Sequence, residues 1–200
     1  MKAVQKKYQK SKNKNNTGKI VLVTGGARSG KSAYAQRLAE TLAGPRAFIA
    51  TCPVTDDEMR RRIRAHQRAR KGGQFETIEE PVNLAAVLRR GGKYRVLLVD
   101  CLTLWVNNLL FEAAQRGREL DEAEIVRQSQ AVLAACRRLD AHVIFVTNEV
   151  GLGIVPENAL ARRFRDLAGR CNQVFAAGAA EVTLLVSGLP LNLKKGKQLT

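Results

Sequence analysis

The sequence lacks the features that mark membrane-spanning, secreted and zinc-binding proteins. It contains no run of about eighteen apolar residues that could cross a bilayer, and residues 1–19 hold no apolar stretch of the kind found in secretory signals. The cysteines are few and widely spaced, at Cys52, Cys101, Cys136 and Cys171, with no C-x-x-C pair among them. We therefore expect reduced, mostly buried thiols and a cytoplasmic protein.

Acidic and aromatic residues are also scarce. Lys and Arg number 34 against 18 Asp and Glu, which gives a formal net charge of +16, and aromatic residues make up 5% of the chain. A positive charge of this size attracts nucleotides, phosphorylated substrates or nucleic acid without distinguishing between them. The single Trp and three Tyr offer few stacking platforms for a nucleic-acid strand, which makes nucleic-acid binding the least favoured of the three.

Much of the positive charge lies in residues 1–19, which contain seven lysines and no acidic residue. This segment is rich in Lys and Asn and has almost no apolar side chains to bury, so it predicts a disordered extension. A basic arm that binds nucleic acid or a membrane surface is the alternative.

One stretch of the chain carries the pattern of a phosphate-binding loop. Gly25, Gly30, Lys31 and Ser32 fill G-x-x-x-x-G-K-[ST] between an apolar, β-branched run and a segment of helix-forming residues. Glycines let backbone N–H groups close round phosphate oxygens, Lys31 reaches the β- and γ-phosphates, and the Ser32 hydroxyl ligates Mg²⁺. The positive end of the following helix dipole points to the same anion.

Apolar periodicity predicts alternating strands and helices around this loop. Helices are predicted over residues 32–43, 55–70, 81–90, 102–114, 121–139 and 157–180, and strands over 20–24, 47–51, 75–79, 95–100, 142–147 and 181–187. Residues 191–200 predict a polar, basic tail. The order indicates an α/β, three-layer P-loop NTPase fold, RecA-like, with a mainly parallel β-sheet flanked by helices.

Two polar residues stand at predicted strand ends, where ligands of a parallel sheet gather. Asp100 follows an apolar run and has the position of the carboxylate that holds Mg²⁺, directly or through water, in P-loop enzymes. Thr51 ends another short apolar run and is therefore expected near the phosphates.

A histidine lies on the predicted helix over residues 55–70. His66 and Arg70 share a face with apolar residues, and Arg62 lies one turn before His66. From spacing alone, a solvated basic helix with a half-buried histidine and a functional histidine between two arginines both remain open. His142, the second histidine of the chain, stands in an apolar strand and is predicted to be a core residue.

Several segments occur together in an order that is typical of one enzyme family. They are residues 24–32 (TGGARSGKS), 49–51 (IAT), 56–70 (DDEMxxRIxxHxxxR), 77–79 (TxE), 100–103 (DCLT) with Asn108, 146–158 (VTNEVGLGIVPEN) and 162–172 (RxFRD, GR and N). Through them the chain resembles the bifunctional adenosylcobinamide kinase / adenosylcobinamide-phosphate guanylyltransferase family of cobalamin biosynthesis. The resemblance covers residues 20–193 as a single domain, which leaves 1–19 as an extension and 194–200 as a tail.

The resemblance implies two reactions at one nucleotide site. ATP or GTP phosphorylates the side-chain hydroxyl of adenosylcobinamide, and GTP then donates GMP to adenosylcobinamide phosphate, which gives adenosylcobinamide-GDP and pyrophosphate. His66 matches the family's nucleophile, which forms a GMP–histidine intermediate, and Lys31 serves both reactions. The chemistry is consistent with this assignment, because a neutral imidazole attacks an α-phosphate and the cations Arg62 and Arg70 disfavour its protonation.

The same resemblance implies the ligand-binding residues, with Mg²⁺ as cofactor held by Ser32 and Asp100. The nucleotide-binding positions are Gly25, Gly26, Ala27, Arg28, Ser29, Gly30, Lys31, Ser32, Ile49, Ala50, Thr51, Gln67, Arg68, Ala69, Arg70, Glu79 and Asp100. Glu79 is the hypothesis for guanine selection, because a carboxylate accepts hydrogen bonds from the guanine N1–H and amine that adenine cannot offer. Family members often carry Glu at the Asp100 position, and either carboxylate can serve Mg²⁺. The family also implies a homotrimer without a membrane span.

Two other interpretations remain open at this point. A P-loop metabolite kinase without transferase activity accounts for the loop and for Asp100, but it gives no reason for the segment around His66. A RecA-like ATPase that acts on nucleic acid accounts for the positive charge, but it requires an exposed basic or aromatic surface for the strand.

Overall fold

The computed structural model describes residues 18–52 and 75–195, which build one seven-stranded sheet with helices on both faces. The strands are β1 (Ile20–Gly25), β2 (Arg46–Ala50), β3 (Phe75–Glu79), β4 (Val96–Asp100), β5 (His142–Val146), β6 (Glu181–Val186) and β7 (Leu189–Lys194). The helices are α1 (Lys31–Thr41), α2 (Leu84–Arg89), α3 (Leu102–Gln115), α4 (Glu122–Cys136) and α5 (Ala159–Gly178), and a 3₁₀ turn spans Gly91–Lys93. The helix predicted over residues 55–70 lies outside the described residues.

The strands are arranged in the order β3-β2-β4-β5-β1-β6-β7, and all are parallel except β7, which is antiparallel to β6. β5 lies between β1 and β4, where Val146 pairs with Val23 on one side and with Asp100 on the other. The predicted three-layer fold with a mainly parallel sheet is confirmed. Because the strands are parallel, the ends of β1, β2, β4 and β5 meet at one edge of the sheet.

The central strands are buried on both faces, which explains why their sequences are continuous apolar runs. On one face, α1 packs through Ala35 and Leu38 in a cluster that includes Val23 of β1. On the other face, Phe175 of α5 stands edge-on to Phe145 of β5, with ring centroids 4.8 Å apart. This aromatic contact holds α5 against the strand that separates β1 from β4.

The structure corrects the predicted C-terminal tail. Leu189–Lys194 form β7, so the sheet continues to residue 194 rather than ending before residue 191. Ser187 and Gly188, with φ angles of 51° and 82°, turn the chain between β6 and β7, as in hairpins that need positive φ at both turn positions. The sequence does not signal this strand, because Pro190 and the polar residues Asn192 and Lys194 stand between its leucines. Every residue of β7 is exposed.

Helices α5 and α2 begin later than the sequence predicts. The Asn158 side chain accepts a hydrogen bond from the N–H of Ala161 at 3.0 Å and caps α5, so the helix begins at Ala159 rather than at residue 157. Before α2, Glu80 Oε1 accepts from the N–H groups of Val82 (2.9 Å) and Asn83 (2.6 Å). These bonds form a turn where the sequence predicts the first turn of a helix.

The cysteines follow the expectation from their spacing. None of the four, all of which lie among the described residues, forms a disulfide bond; Cys101, Cys136 and Cys171 are buried and Cys52 is half-buried. In the part of the chain that the structure describes, no helix is long and apolar enough to cross a membrane.

Candidate active site

The phosphate-binding loop connects the end of β1 to the start of α1. A Cβ atom at Gly25 would lie 2.6 Å from both the Leu185 carbonyl oxygen and Ser29 Oγ, so this position has room for glycine alone. Gly30, with φ of 89°, is the N-cap of α1 and supplies no side chain to cap the helix. The first N–H groups of α1 therefore remain available to an anion, as in other helix N-termini that bind phosphate.

Lys31 lies within the loop. Its side chain is buried, and its Nζ donates a hydrogen bond to the Gly26 carbonyl oxygen at 3.0 Å. Burial lowers the pKa of Lys31, while the nearby Asp100 carboxylate acts in the opposite direction by favouring the charged form. An ammonium group has three N–H donors, so Lys31 can hold the loop and also donate to phosphate oxygens.

Two buried hydroxyl groups of the loop lack hydrogen-bond partners among the residues that the structure describes. They are Thr24 Oγ1, at the end of β1, and Ser29 Oγ, in the turn before α1. Buried polar atoms are almost always paired in folded proteins, so orphaned ones point to a ligand or ordered water. Their place in the loop agrees with a site built for a polar ligand.

The turn between β6 and β7 contacts the phosphate loop, and the sequence did not indicate this contact. The Gly188 N–H donates to the Ser29 carbonyl oxygen at 3.0 Å. A Cβ atom at Gly30 would lie 3.5 Å from the Gly188 Cα, which is ordinary van der Waals contact. The hairpin therefore supports the loop from the far side of β6.

Asp100 stands at the end of β4, where Thr51 holds the adjoining backbone. The Thr51 hydroxyl accepts from the Cys101 N–H at 2.7 Å and donates to the Cys101 carbonyl oxygen at 2.8 Å. Thr51 is fully buried, and its own N–H donates to the Asp100 carbonyl oxygen at 3.3 Å. Its hydroxyl is thus engaged with the protein backbone, and what Thr51 offers the site is the position of Asp100.

Three further residues predicted to bind the nucleotide, Ile49, Ala50 and Glu79, lie at the ends of β2 and β3. Ala50 pairs with Asp100 on one side and with Glu79 on the other. Glu79 is exposed, whereas Ile49 is fully buried in the core. Asn108 of α3 joins the two segments, because its Nδ2 donates to the carbonyl oxygens of Thr51 (2.7 Å) and Pro81 (2.9 Å).

The structure describes one of the two histidines, His142. His66 lies outside the described residues, together with Gln67, Arg68, Ala69 and Arg70. His142 begins β5, at the opposite end of the strand from the phosphate loop, and is half-buried with Nδ1 accepting from the Lys19 N–H at 3.4 Å. Burial, helped by the charge of Lys19, lowers the pKa of His142. His142 is therefore remote from the site, and it is less deeply buried than the core position that the sequence predicts.

The donor set at this edge suits Mg²⁺. Ser32 lies at the second position of α1 and Asp100 at the end of β4, both half-buried, and hydroxyl and carboxylate oxygens are the ligands that Mg²⁺ prefers. Within residues 18–52 and 75–195, no group of three or more His, Cys, Asp or Glu side chains could hold a metal ion by itself. Magnesium in such sites is shared between one or two protein oxygens and the substrate phosphates.

Comparison with known proteins agrees with these features. Residues 21–193 match the family described as cobinamide kinase / cobinamide phosphate guanyltransferase. The bifunctional adenosylcobalamin biosynthesis protein CobU of Escherichia coli is 43% identical over 185 residues, which cover 88% of this chain and 99% of the relative. The corresponding protein CobP of Pseudomonas aeruginosa is 45% identical over 174 residues, which cover 86% of this chain and 96% of the relative.

Solved structures resemble the fold at much lower identity. The flagellar accessory protein FlaH from Methanocaldococcus jannaschii aligns with a TM-score of 0.52 and 14% identity, over 90% of this chain and 80% of that protein. A KaiC-like protein from Pyrococcus horikoshii aligns with a TM-score of 0.50 and 18% identity, over 84% of this chain and 71% of that protein. These likenesses show the fold alone.

Proposed function

This chain belongs to the cobinamide kinase / cobinamide phosphate guanyltransferase family, and we propose that it catalyses both reactions of that name. In the first reaction, ATP or GTP phosphorylates the side-chain hydroxyl of adenosylcobinamide. In the second, GTP donates GMP to adenosylcobinamide phosphate, and pyrophosphate leaves. The observation that carries the proposal is the family match over residues 21–193, which spans the phosphate loop, Asp100 and the segment around His66.

The described residues supply the phosphate-binding half of this chemistry. Lys31 and the uncapped start of α1 offer N–H donors to the β- and γ-phosphates, and they stabilise negative charge there in either reaction. We assign Ser32 and Asp100 as the protein ligands of Mg²⁺. Mg²⁺ held there would supply positive charge that offsets the charge of the phosphate oxygens.

We assign His66 as the nucleophile of the guanylyl transfer. A ring nitrogen of the neutral imidazole forms a bond to the α-phosphorus of GTP, and the bond from that phosphorus to the β-phosphate oxygen breaks as pyrophosphate leaves. An oxygen of adenosylcobinamide phosphate then attacks the same phosphorus, and the phosphorus–nitrogen bond breaks to release the histidine. Arg62 and Arg70 disfavour the protonated imidazole and stabilise the charge on the phosphoryl oxygens.

Glu79 is the proposed reader of the guanine base. It is exposed at the end of β3, where it pairs with the β2 residue Ala50, so it lies at the same edge of the sheet as the phosphate loop. A carboxylate accepts two hydrogen bonds from guanine and meets no such donor pair on adenine. The Glu79→Gln variant should therefore lose more affinity for GTP than for ATP in a calorimetric titration, and equal losses for both nucleotides would contradict this role.

The oligomer proposed for this chain is a homotrimer. Leu189, Leu191 and Leu193 of β7 are 56% to 72% exposed, and Val186 of β6 is 56% exposed beside them. An exposed apolar surface at a sheet edge is costly for a monomer and favours association. Cytoplasmic location and the absence of nucleic-acid binding stay predictions from the sequence.

Two labelled nucleotides test the central proposal. GTP labelled at the α-phosphate should leave a label on the denatured protein that is labile to acid and stable to hydroxide, as a phosphoramidate is. ATP labelled at the γ-phosphate should transfer its label to adenosylcobinamide. A protein that turns over nucleotide with neither product would contradict the proposed function.

Variants separate the two steps. The His66→Ala variant should lose the covalent label and keep the kinase reaction, whereas Lys31→Ala should lose both. His142→Ala is the matched control, because it removes the second histidine at the far end of β5 and should keep both reactions. A covalent label that persists in His66→Ala would show that another residue is the nucleophile.

A further inference from the structure

The segment that follows β5 runs along the phosphate loop. The Thr147 N–H donates to the Val23 carbonyl oxygen at 3.0 Å, and the Glu149 N–H donates to the Gly25 carbonyl oxygen at 3.1 Å. Residues 147–149 thus continue the pairing with β1 beyond the end of the strand. Glu149 is bonded through its backbone to the first glycine of the loop that is expected to hold the triphosphate.

A closed ring of hydrogen bonds holds this segment in place. Thr147 donates its hydroxyl proton to Asn172 Oδ1 at 2.7 Å, so Thr103 must be the donor across the 3.2 Å contact between the two threonine hydroxyls. Asn172 Nδ2 donates to the Asn148 carbonyl oxygen at 3.0 Å. The Asn148 N–H donates to Thr103 Oγ1 at 2.7 Å, which closes the ring.

The ring positions a carboxylate at the phosphate loop. It ties the residue before Glu149 to α3 on one side and to α5 on the other, while Gly25 holds the Glu149 backbone itself. The Glu149 side chain is half-buried, and its Oε1 accepts from the Gly151 N–H at 3.1 Å. It forms no ion pair with any of the described residues, so one carboxylate oxygen is left to interact with a substrate.

The other acidic residues at this edge of the sheet have different environments. Glu80 caps the turn before α2 through two backbone N–H groups. Asp100 interacts electrostatically with Lys31 and is the proposed ligand of Mg²⁺. Glu79 lies on β3, which is separated from β5 by the two strands β2 and β4. Among these acidic residues, Glu149 is therefore the one whose backbone is hydrogen-bonded to the phosphate loop and whose carboxylate has no other assigned task.

We propose that Glu149 is the general base of the phosphorylation reaction; this inference rests on the proposed function. The hydroxyl oxygen of the corrinoid forms a bond to the γ-phosphorus, and the bond from that phosphorus to the β-phosphate oxygen breaks as ADP or GDP leaves. The hydroxyl proton passes to the Glu149 carboxylate, which later releases it to water. In guanylyl transfer the nucleophiles are a neutral imidazole and an ionised phosphate oxygen, so no hydroxyl proton has to be removed.

The ratio of the two activities tests this assignment. The Glu149→Gln variant keeps the size and the hydrogen-bond acceptor of the side chain and removes its basicity. Its kcat for adenosylcobinamide phosphorylation should fall by about 10²- to 10⁴-fold, and guanylyl transfer to ready-made adenosylcobinamide phosphate should fall far less. Glu157→Gln, an exposed position of the same connecting segment, is the matched control and should leave the ratio as in the wild type. Thermal unfolding of both variants is measured in parallel.

The outcomes distinguish a failure of the Glu149 assignment from a failure of the proposed function. A Glu149→Gln variant that phosphorylates within about threefold of the wild type, or that loses both reactions by the same factor, would overturn the assignment of the base. A Glu149→Asp variant that recovers part of the phosphorylation rate would support it. A wild-type protein that phosphorylates no adenosylcobinamide would instead overturn the proposed function, and the inference with it.

Discussion

Replacing Thr51 by Val tests whether its hydroxyl serves the protein backbone or the nucleotide. The substitution keeps the shape of the side chain and removes both hydrogen bonds to Cys101, of 2.7 Å and 2.8 Å. The Cys101 carbonyl oxygen keeps a partner, because it also accepts from the Trp105 N–H at 3.2 Å. The Cys101 N–H is left buried and unpaired.

The cost follows from these contacts. An unpaired buried N–H costs about 1–3 kcal/mol, and the second lost hydrogen bond adds about 0.5–1.5 kcal/mol, so the free energy of unfolding should fall by about 2–4 kcal/mol. For a chain of this size, that corresponds to a loss of roughly 5–15 °C in the unfolding temperature. Thr51→Ser is the control, because it keeps the hydroxyl and should lose only about 1 kcal/mol for the missing methyl group.

Urea unfolding followed by tryptophan fluorescence measures this difference. Trp105 is the single tryptophan of the chain, it is 1% exposed, and its Nε1–H donates to the Val82 carbonyl oxygen at 2.7 Å. Its emission should therefore report the loss of the packed state. Nucleotide affinity is measured on the same samples. If Thr51→Val weakened nucleotide binding while its stability stayed within about 0.5 kcal/mol of the wild type, the hydroxyl would be a ligand of the nucleotide and the reasoning would be refuted.

Three further predictions follow from the described contacts. Gly25→Ala should weaken nucleotide binding by at least about tenfold in calorimetry, or about 1.4 kcal/mol, because the new Cβ would lie 2.6 Å from atoms of Leu185 and Ser29. Gly169→Ala is the control and should bind nucleotide normally, because a Cβ at that position meets nothing within 4 Å. Leu191→Lys should dissociate the proposed trimer to the 22.0 kDa monomer in light scattering, and an unchanged mass would exclude β7 from the interface. Burial raises the pKa of Cys101 to about 11 and that of Cys136 to about 12, so a thiol reagent at pH 8 should leave both unmodified in the folded protein. In the unfolded chain these thiols ionise at a lower pH than in the folded protein. The free energy of unfolding should therefore decline as pH rises from about 9 to about 12.

The strands and the phosphate loop were predictable from sequence because their signals are local. Phe75–Glu79 alternates over the same five residues that form β3, and the loop pattern coincides with the turn from β1 to α1. The end of the sheet was not predictable in the same way. β7 carries a proline and polar residues, and it becomes a strand through its pairing with β6 after a tight turn.

The same difference between local signals and long-range contacts applies to the candidate site. The sequence indicated Lys31 and Asp100, and the structure places their side chains within electrostatic reach of each other. It did not indicate that the Thr51 hydroxyl is engaged by the backbone of Cys101, because that contact joins residues fifty positions apart. The roles of His66 and of its neighbours stay predictions, since these residues lie outside the described part of the chain.

By itself, the sequence determined which chemical groups the chain offers to a nucleotide: glycines and a lysine in a phosphate loop, a carboxylate after an apolar strand, and a histidine between arginines. Only the tertiary structure decided which of these and other groups are neighbours. Strand pairing inserts β5 between β1 and β4, and hydrogen bonds from α3 and α5 then fix Asn148, so that Glu149 lies against the loop that begins at Gly25. The contact between Glu149 and Gly25 joins residues more than a hundred positions apart, where no local periodicity or spacing carries a signal.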